Sequence, residues 1–91
     1  MYDYEWDPDK ARANIRKHGV SFVEATDVLE DEQALTIEDD YRDEERFITI
    51  GADALGRILV VIYTYRSTAI RIISVRKATP SERKSYQDIN P

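Results

Sequence analysis

Cysteine is absent from this sequence, and histidine occurs once, at His18. Without cysteine there can be no disulfide framework and no thiolate metal site. A structural zinc site needs several Cys or His ligands, so a single histidine argues against one. We therefore expect neither a metal ion nor a cofactor to be part of this protein.

Long apolar segments are also missing. No apolar run reaches the roughly 20 residues that a membrane span requires. The first five residues, Met-Tyr-Asp-Tyr-Glu, lack the basic region and the apolar core of a signal peptide. The 91 residues contain no repeat, no low-complexity segment and no linker. These features predict one small domain over residues 1–91 that acts in the cytoplasm.

Positive charge is scarce in the first half of the chain. The net charge is −5, but residues 1–45 carry 15 acidic and 5 basic side chains, whereas residues 46–91 carry 3 acidic and 8 basic ones. A uniformly acidic protein would repel nucleic acid. The asymmetry allows a basic face in the second half, although an ordinary surface with two differently charged sides would give the same composition.

Two helices are predicted near the N-terminus. Asp7 suits an N-cap and Pro8 the first helical position, so the first helix runs to about His18 and ends at Gly19. A capping box, Ser21 to Glu24, opens a second helix that runs to about Leu29. Residues at helical spacing form two stripes on the first helix: an apolar one with Ala11, Ile15 and His18, and a polar one with Lys10, Asn14 and Lys17.

The remaining pattern is mostly β. Strands are predicted at 4–6, 34–37, 46–50, 57–66 and 69–79, with a solvated acidic loop at 38–45. A second capping box, Thr79 to Glu82, opens a short helix from Pro80 to about Asp88. Short connections favour antiparallel neighbours. We therefore predict an α+β fold in which two N-terminal helices and a short C-terminal helix accompany a small antiparallel sheet.

The last hairpin determines which side chains share a face. If Ser67 and Thr68 form a two-residue turn, Tyr63 and Tyr65 lie on one face with Ser74 and Arg76. The other face is richer in β-branched residues, so we expect the helices to pack there. Arg71 would then lie on the helix-covered face, opposite Arg76, unless a bulge intervenes. An odd-numbered loop would regroup the two strands.

An ordered set of short motifs runs through the chain: Glu5-Trp6-Asp7, Lys10, Asn14, Lys17-His18-Gly19, Val20-Ser21-Phe22, Arg46-Phe47, Ile50-Gly51, Tyr63-Thr64, Arg71 to Ala78, Glu82 and Tyr86. With this set the chain resembles the BrnT family of type II toxins. The resemblance implies a RelE-like ribonuclease fold, growth arrest through RNA cleavage, and neutralisation by a BrnA-like antitoxin. In that family the antitoxin supplies the DNA-binding region, so contact with DNA is expected only through the antitoxin.

Metal-free RNA cleavage needs a base, an acid and cations that stabilise the phosphorane. Arg76 is the candidate for phosphate stabilisation, because a guanidinium binds phosphate through two hydrogen bonds; it is equally suited to a structural ion pair with Glu82 or the acidic loop. Lys17 or His18 is a candidate base or acid, although the position of His18 on the apolar stripe favours packing. Tyr86 either donates a proton or anchors the last helix.

Further residues are candidates for RNA binding. Unpaired bases stack on tyrosine rings, so Tyr63 and Tyr65 are candidates for base contacts, with cross-strand packing as the alternative. Cations of the second half are candidates for the RNA backbone, namely Arg66, Arg71, Lys77 and Arg83.

Two other functions are compatible with parts of the sequence. The acidic surface would suit a non-catalytic module that binds a basic antitoxin. Residues 15–26 have the outline of a DNA-binding helix-turn-helix, but the second helix of that segment carries acids and no Lys or Arg. A recognition helix needs cations for phosphate and base contacts, so direct reading of DNA is rejected.

Overall fold

A computed structural model describes residues 3–42 and 44–90. The elements in chain order are β1 (Asp3–Glu5), α1 (Pro8–His18), α2 (Phe22–Leu29), β2 (Leu35–Tyr41), β3 (Glu44–Ala52), β4 (Ile58–Arg66), β5 (Ala69–Lys77) and α3 (Pro80–Ile89). This order confirms the α+β prediction. No helix among the described residues is long and apolar enough to cross a membrane.

The helix boundaries follow the predicted caps. Asp7 accepts a hydrogen bond from Asp9 N at the start of α1, and Gly19 ends that helix with φ 70°. Glycine adopts this left-handed conformation without a steric penalty. Ser21 caps α2, and Thr79 and Glu82 form the reciprocal capping box of α3.

The five strands form one sheet in the order β1-β5-β4-β3-β2. Strands β2 to β5 are antiparallel neighbours, as predicted, but β1 pairs in parallel with β5. The sheet is therefore mixed. The parallel pair arises because α1, α2 and three strands separate β1 from β5 in the sequence, which leaves room for a long return connection.

The prediction of an acidic loop at residues 38–45 is wrong. Strand β2 continues through this segment, and β3 begins at Glu44, so that Glu38 pairs with Phe47 and Asp39 with Arg46. Acidic residues are poor strand formers on average, but pairing with a regular neighbour strand outweighs that weak preference. The position Asp43 lies outside the described residues, as do the side chains of Asp40 and Tyr41.

The last hairpin has the predicted two-residue turn, but the pairing register of its two strands shifts near the middle. Tyr65 pairs with Ile70 and Tyr63 with Ile72, as expected. An irregularity follows, and Ile62 pairs with Ser74. Ile73 is thus the extra residue of a β-bulge. A bulge reverses the inward and outward alternation of the residues beyond it.

The bulge makes the predicted assignment of faces wrong. The partners of Arg71 and Arg76 are Thr64 and Val60, four residues apart on β4, so both arginines lie on the same face. Arg76 does not share a face with the tyrosines. The helices pack on the tyrosine-bearing face, where the core consists of Val20, Phe22, Ala25, Val28, Leu59, Val61, Tyr63, Ile70, Ile72 and Val75. On the opposite face, Ile37 is 62% exposed.

Asn14 was predicted on a polar stripe but is buried, and Ile15 of the predicted apolar stripe is half exposed. The Asn14 amide donates to Val20 O (2.9 Å) and Val75 O (2.8 Å) and accepts from Val75 N (3.2 Å). Strand β1 pairs with β5 only as far as Arg71. Beyond that point Asn14 supplies the hydrogen bonds that a neighbouring strand would otherwise make.

Candidate functional site

Two arginines on the open face of β5 are held by carboxylates. Arg71 Nη1 lies 2.7 Å from Glu5 Oε2 on the neighbouring strand. Arg76 binds Glu82 through two bonds, Nη1 to Oε1 at 2.7 Å and Nη2 to Oε2 at 2.9 Å. These pairs hold the side chains in fixed positions and offset their charge.

The pair between Arg76 and Glu82 is electrostatically strong. Hydrogen bonds from Arg76, helped by the backbone N–H of Thr79, lower the pKa of Glu82 to about 2. The hydrogen bonds to Glu82 in turn raise the pKa of Arg76. Because Glu82 lies in the first turn of α3, the pair ties this helix to the end of β5.

A basic pocket of about 380 Å³ lies where β5 passes into α3. It is lined by Gly56, Arg57, Ile58, Lys77, Arg83 and Gln87. Arg83 and Gln87 are four residues apart and therefore share one side of α3. Thr79 is the N-cap of this helix. We call this site the basic pocket.

The cations of the basic pocket differ in their partners. Arg57 binds Asp53 and also contacts Glu24, so its charge is offset. Within the described part of the chain, Lys77 and Arg83 form no ion pair and no side-chain hydrogen bond. Both side chains are exposed. The pocket therefore offers two cations that an anion can bind without breaking an existing pair.

The tyrosines of β4 lie on the other side of the sheet. Tyr63 is only 5% exposed, its hydroxyl lies 2.9 Å from Thr49 Oγ1, and its ring stacks on Phe47 at 5.7 Å. Tyr65 is 44% exposed, and its ring forms T-shaped contacts with the rings of Phe47 and Tyr63. Cross-strand packing therefore occupies Tyr63, whereas part of Tyr65 remains accessible.

An acidic groove of about 420 Å³ opens beside these tyrosines. Its lining includes Tyr4, Glu30, Asp31, Thr36, Tyr63 and Tyr65. Among its described lining residues there is no lysine or arginine. Burial, together with the negative charge of Glu30, raises the pKa of the Tyr4 hydroxyl. We call this site the tyrosine groove.

Asp31 and Tyr86 join the tail of the fold to the end of α2. The Tyr86 hydroxyl donates to Asp31 Oδ2 at 2.6 Å, and Ala52 N donates to the same oxygen at 2.9 Å. Burial opposes the charge of Asp31, but these bonds and a third from Gln33 N outweigh it and lower the pKa of Asp31. The same contact with Asp31 raises the pKa of Tyr86 to about 12. Tyr86 is thus a firm anchor of α3.

With the geometry established, comparison with known proteins identifies the family. A family model described as "Ribonuclease toxin, BrnT, of type II toxin-antitoxin system" matches residues 6–82. The chain belongs to the BrnT family. A search among curated proteins gave no match.

A solved BrnT structure has the same fold. The ribonuclease toxin BrnT of Brucella abortus, solved at 1.1 Å, is 28% identical to this chain, and the alignment covers 87% of this chain and 99% of the Brucella chain. The TM-score is 0.69. As a member of a type II toxin-antitoxin family, the chain is a ribonuclease toxin with an antitoxin partner.

The remaining candidate residues of this BrnT-family chain are not among the residues that line the basic pocket. Lys17 is exposed and His18 is half-buried in the last turn of α1. They follow Asn14 by about one turn, so its bonds to Val75 place them near the second half of β5. Arg66 lies near the β4–β5 turn, 3.5 Å from Glu44. Of the predicted cations, Lys77 and Arg83 are the two that share a pocket.

Sequence reasoning on this BrnT-family chain missed Gln87, Glu30 and Asp31. Gln87 was detectable, since it lies four residues after Arg83 on a predicted helix. Glu30 and Asp31 had no such signal, because they looked like part of an ordinary acidic surface. Among the described residues, no group of three or more His, Cys, Asp or Glu side chains is arranged to hold a metal ion.

Proposed function

We propose that this protein cleaves RNA by attack of the ribose 2′-hydroxyl, with the scissile phosphate bound in the basic pocket. The observation that supports this proposal is that Lys77 and Arg83 lie in one concave site and have no ion-pair partner in the part of the chain that the structure describes. In contrast, Arg71 and Arg76 already bind carboxylates. Repulsion by Glu30 and Asp31 makes the tyrosine groove unsuitable for a phosphate.

The proposed reaction needs charge stabilisation and two proton transfers. The 2′-oxygen attacks phosphorus while its proton passes to a base, and the bond from phosphorus to the 5′-oxygen breaks as an acid protonates that oxygen. The products are a 2′,3′-cyclic phosphate and a 5′-hydroxyl. Lys77 and Arg83 stabilise the phosphorane without a metal ion. Lys17 and His18 remain candidates for the base or the acid.

In this proposal Arg76 positions α3 through Glu82, and α3 carries Arg83 and Gln87. A direct contact between Arg76 and phosphate would require Glu82 to release the guanidinium. The role of Tyr86 is likewise to anchor α3, because its hydroxyl is bound to Asp31 and its pKa of about 12 disfavours loss of the proton near neutral pH. Arg66 and Tyr65 are proposed to contact more distant parts of the RNA.

The test compares three alanine variants of cations in cleavage of a labelled single-stranded RNA. Lys77→Ala and Arg83→Ala should each slow cleavage by about 100-fold, since each loses one donor to the transition state. Lys84→Ala is the matched control, because Lys84 lies on the same helix and pairs with Asp88 at 2.8 Å. Normal cleavage by both pocket variants would overturn the site assignment.

We further propose that the partner is a BrnA-like antitoxin and that RNA cleavage in the cytoplasm arrests growth. The family assignment supports a partner of this class, which would provide the only contact with DNA. Co-expression with the adjacent small gene should restore growth and give a stable complex. Persistent arrest, or no complex after co-purification, would contradict this assignment.

A further inference from the structure

The tyrosine groove combines aromatic walls with uncompensated negative charge. Tyr4, Tyr63 and Tyr65 contribute rings to the groove, and Tyr65 is 44% exposed. Glu30 is exposed and forms no ion pair within the described part of the chain. Asp31 stands beside it and stays ionised because its hydrogen bonds lower its pKa. The groove therefore holds two carboxylates and, among its described lining residues, no lysine or arginine that would offset them.

This chemistry selects a cation with an apolar stem. A cationic side chain gains from the face of a tyrosine ring as well as from a carboxylate, and the stem of Arg or Lys packs on apolar surface. Leu29 and Ile70 supply that surface in the groove. A second acidic depression, whose lining includes Asp27, Glu30 and Asp31, continues from the groove. The attraction for a basic segment therefore extends beyond one side chain.

We propose that the tyrosine groove binds an arginine or lysine side chain of the antitoxin polypeptide. This inference rests on the proposed function in so far as the partner is an antitoxin. A phosphate-bearing ligand is disfavoured by the same carboxylates. The occupant is thus a basic segment of protein.

The aromatic end of the groove lies far from the basic pocket, whereas Asp31 at its other end binds Ala52, which pairs with Ile58 of the pocket. Tyr65 lies in the groove and Ile58 in the pocket, and the two are seven positions apart on strand β4, which corresponds to about 24 Å. A side chain that binds against Tyr65 therefore lies away from the phosphate site. Substitution of Glu30 should alter neutralisation and leave the cleavage of free RNA unchanged.

The first experiment measures binding of a small cationic probe to the full chain by NMR. N-acetyl-arginine amide should shift the amide signals of Tyr4, Thr36 and Tyr65, whereas the neutral isostere N-acetyl-citrulline amide should not. Glu30→Gln should weaken arginine-amide binding by about two- to five-fold, because one exposed carboxylate contact is lost. Glu32→Gln is the matched control: Glu32 is an exposed neighbour that does not line the groove. Equal shifts with both probes, or equal loss in both variants, would overturn the proposal.

The second experiment separates binding of the antitoxin from cleavage. Glu30→Arg should weaken binding of the co-expressed antitoxin at least about ten-fold, in line with loss of an attractive charge and gain of a repulsive one. RNA cleavage by the isolated variant should equal that of the wild type. Unchanged antitoxin affinity would overturn the inference. Failure of the wild type to cleave RNA would instead contradict the proposed function, so the two failures can be distinguished.

Discussion

At the scale of single residues, one amide joins the first helix to the sheet. Asn14 makes three hydrogen bonds to the backbone of Val20 and Val75. Its side chain is 6% exposed, so water cannot replace these bonds if the amide is removed. Buried backbone groups left without a partner carry the full cost of their lost hydration.

Asn14→Ala should therefore lower the free energy of unfolding by about 3 kcal/mol, because several buried backbone groups lose their partners. Urea denaturation followed by circular dichroism measures this change. Lys10→Ala provides the control, since Lys10 is an exposed residue of the same helix. A loss of stability for Asn14→Ala no greater than that of the control would contradict this account.

Tyr86→Phe tests the anchor of α3. The change removes a 2.6 Å hydrogen bond to a charged carboxylate and should cost about 2 kcal/mol of stability. Cleavage per folded molecule should stay near the wild-type rate, measured well below the melting temperature. A large loss of rate without a loss of stability would make Tyr86 a catalytic acid and reject the anchoring role.

At the scale of elements, α3 is fastened at both ends. Glu82 binds Arg76 near its start, and Asn90 Nδ2 donates to Gln33 O just after its end, at 3.1 Å. The basic pocket depends on this helix, because Arg83 and Gln87 form part of the wall. The two ends act together to hold that wall against β5.

Glu82→Gln should make the free energy of unfolding less dependent on pH in the acidic range. The pKa of Glu82 falls from 4.5 to about 2 on folding, so its contribution is present above pH 4.5 and is lost as the pH falls towards about 2. The difference in unfolding free energy between wild type and Glu82→Gln should thus be largest at neutral pH and shrink below pH 4.5. A difference that stays constant across this range would contradict the folded-state pairing.

The same variant distinguishes the two roles of Arg76. If Arg76 positions α3, Glu82→Gln should slow RNA cleavage, and Arg76→Ala should have a similar effect. If Arg76 contacts phosphate directly, release from Glu82 should leave cleavage unchanged or increase it, whereas Arg76→Ala should abolish it. Single-turnover cleavage rates of the two variants decide between these outcomes.

At the scale of the whole molecule, charge of opposite sign lies at separate sites. The net charge is −5, yet the basic pocket holds two cations without an ion-pair partner among the described residues, and the tyrosine groove holds two carboxylates. Overall repulsion should keep RNA affinity modest, with attraction confined to a few contacts. The acidic surface remains available to a basic partner.

RNA affinity should accordingly show a weak dependence on salt. The two cations of the basic pocket should contribute about −1.4 to the slope of log affinity against log salt concentration on a single strand, and Lys77→Ala should make the slope less negative by about 0.7. Fluorescence anisotropy with a short labelled RNA measures both slopes. An unchanged slope for Lys77→Ala would remove that residue from the RNA contacts.

Local chemistry in the sequence was enough to predict much of this protein. Caps at Asp7, Ser21 and Thr79 set the starts of the helices, and Gly19 ended the first one, because these residues satisfy or terminate the helix backbone by themselves. The ordered motifs were enough to recognise the family. The presence of Lys77 and Arg83 near the last helix was also readable from the sequence.

Only the tertiary structure decided which residues share a face and which cations are unpartnered. The extra residue Ile73 gives no local signal, yet it moves Arg76 to the face of Arg71 and Val75 to the face of the tyrosines. Glu5 and Arg71 are 66 residues apart in sequence, so their pairing depends on the parallel β1–β5 contact. In the sequence, Asn14 lies on a polar stripe and would be expected in solvent. In the structure it bonds the backbone of β5 beyond the end of the β1–β5 pairing. Each of these outcomes depends on long-range pairing of strands, which periodicity within one segment cannot encode.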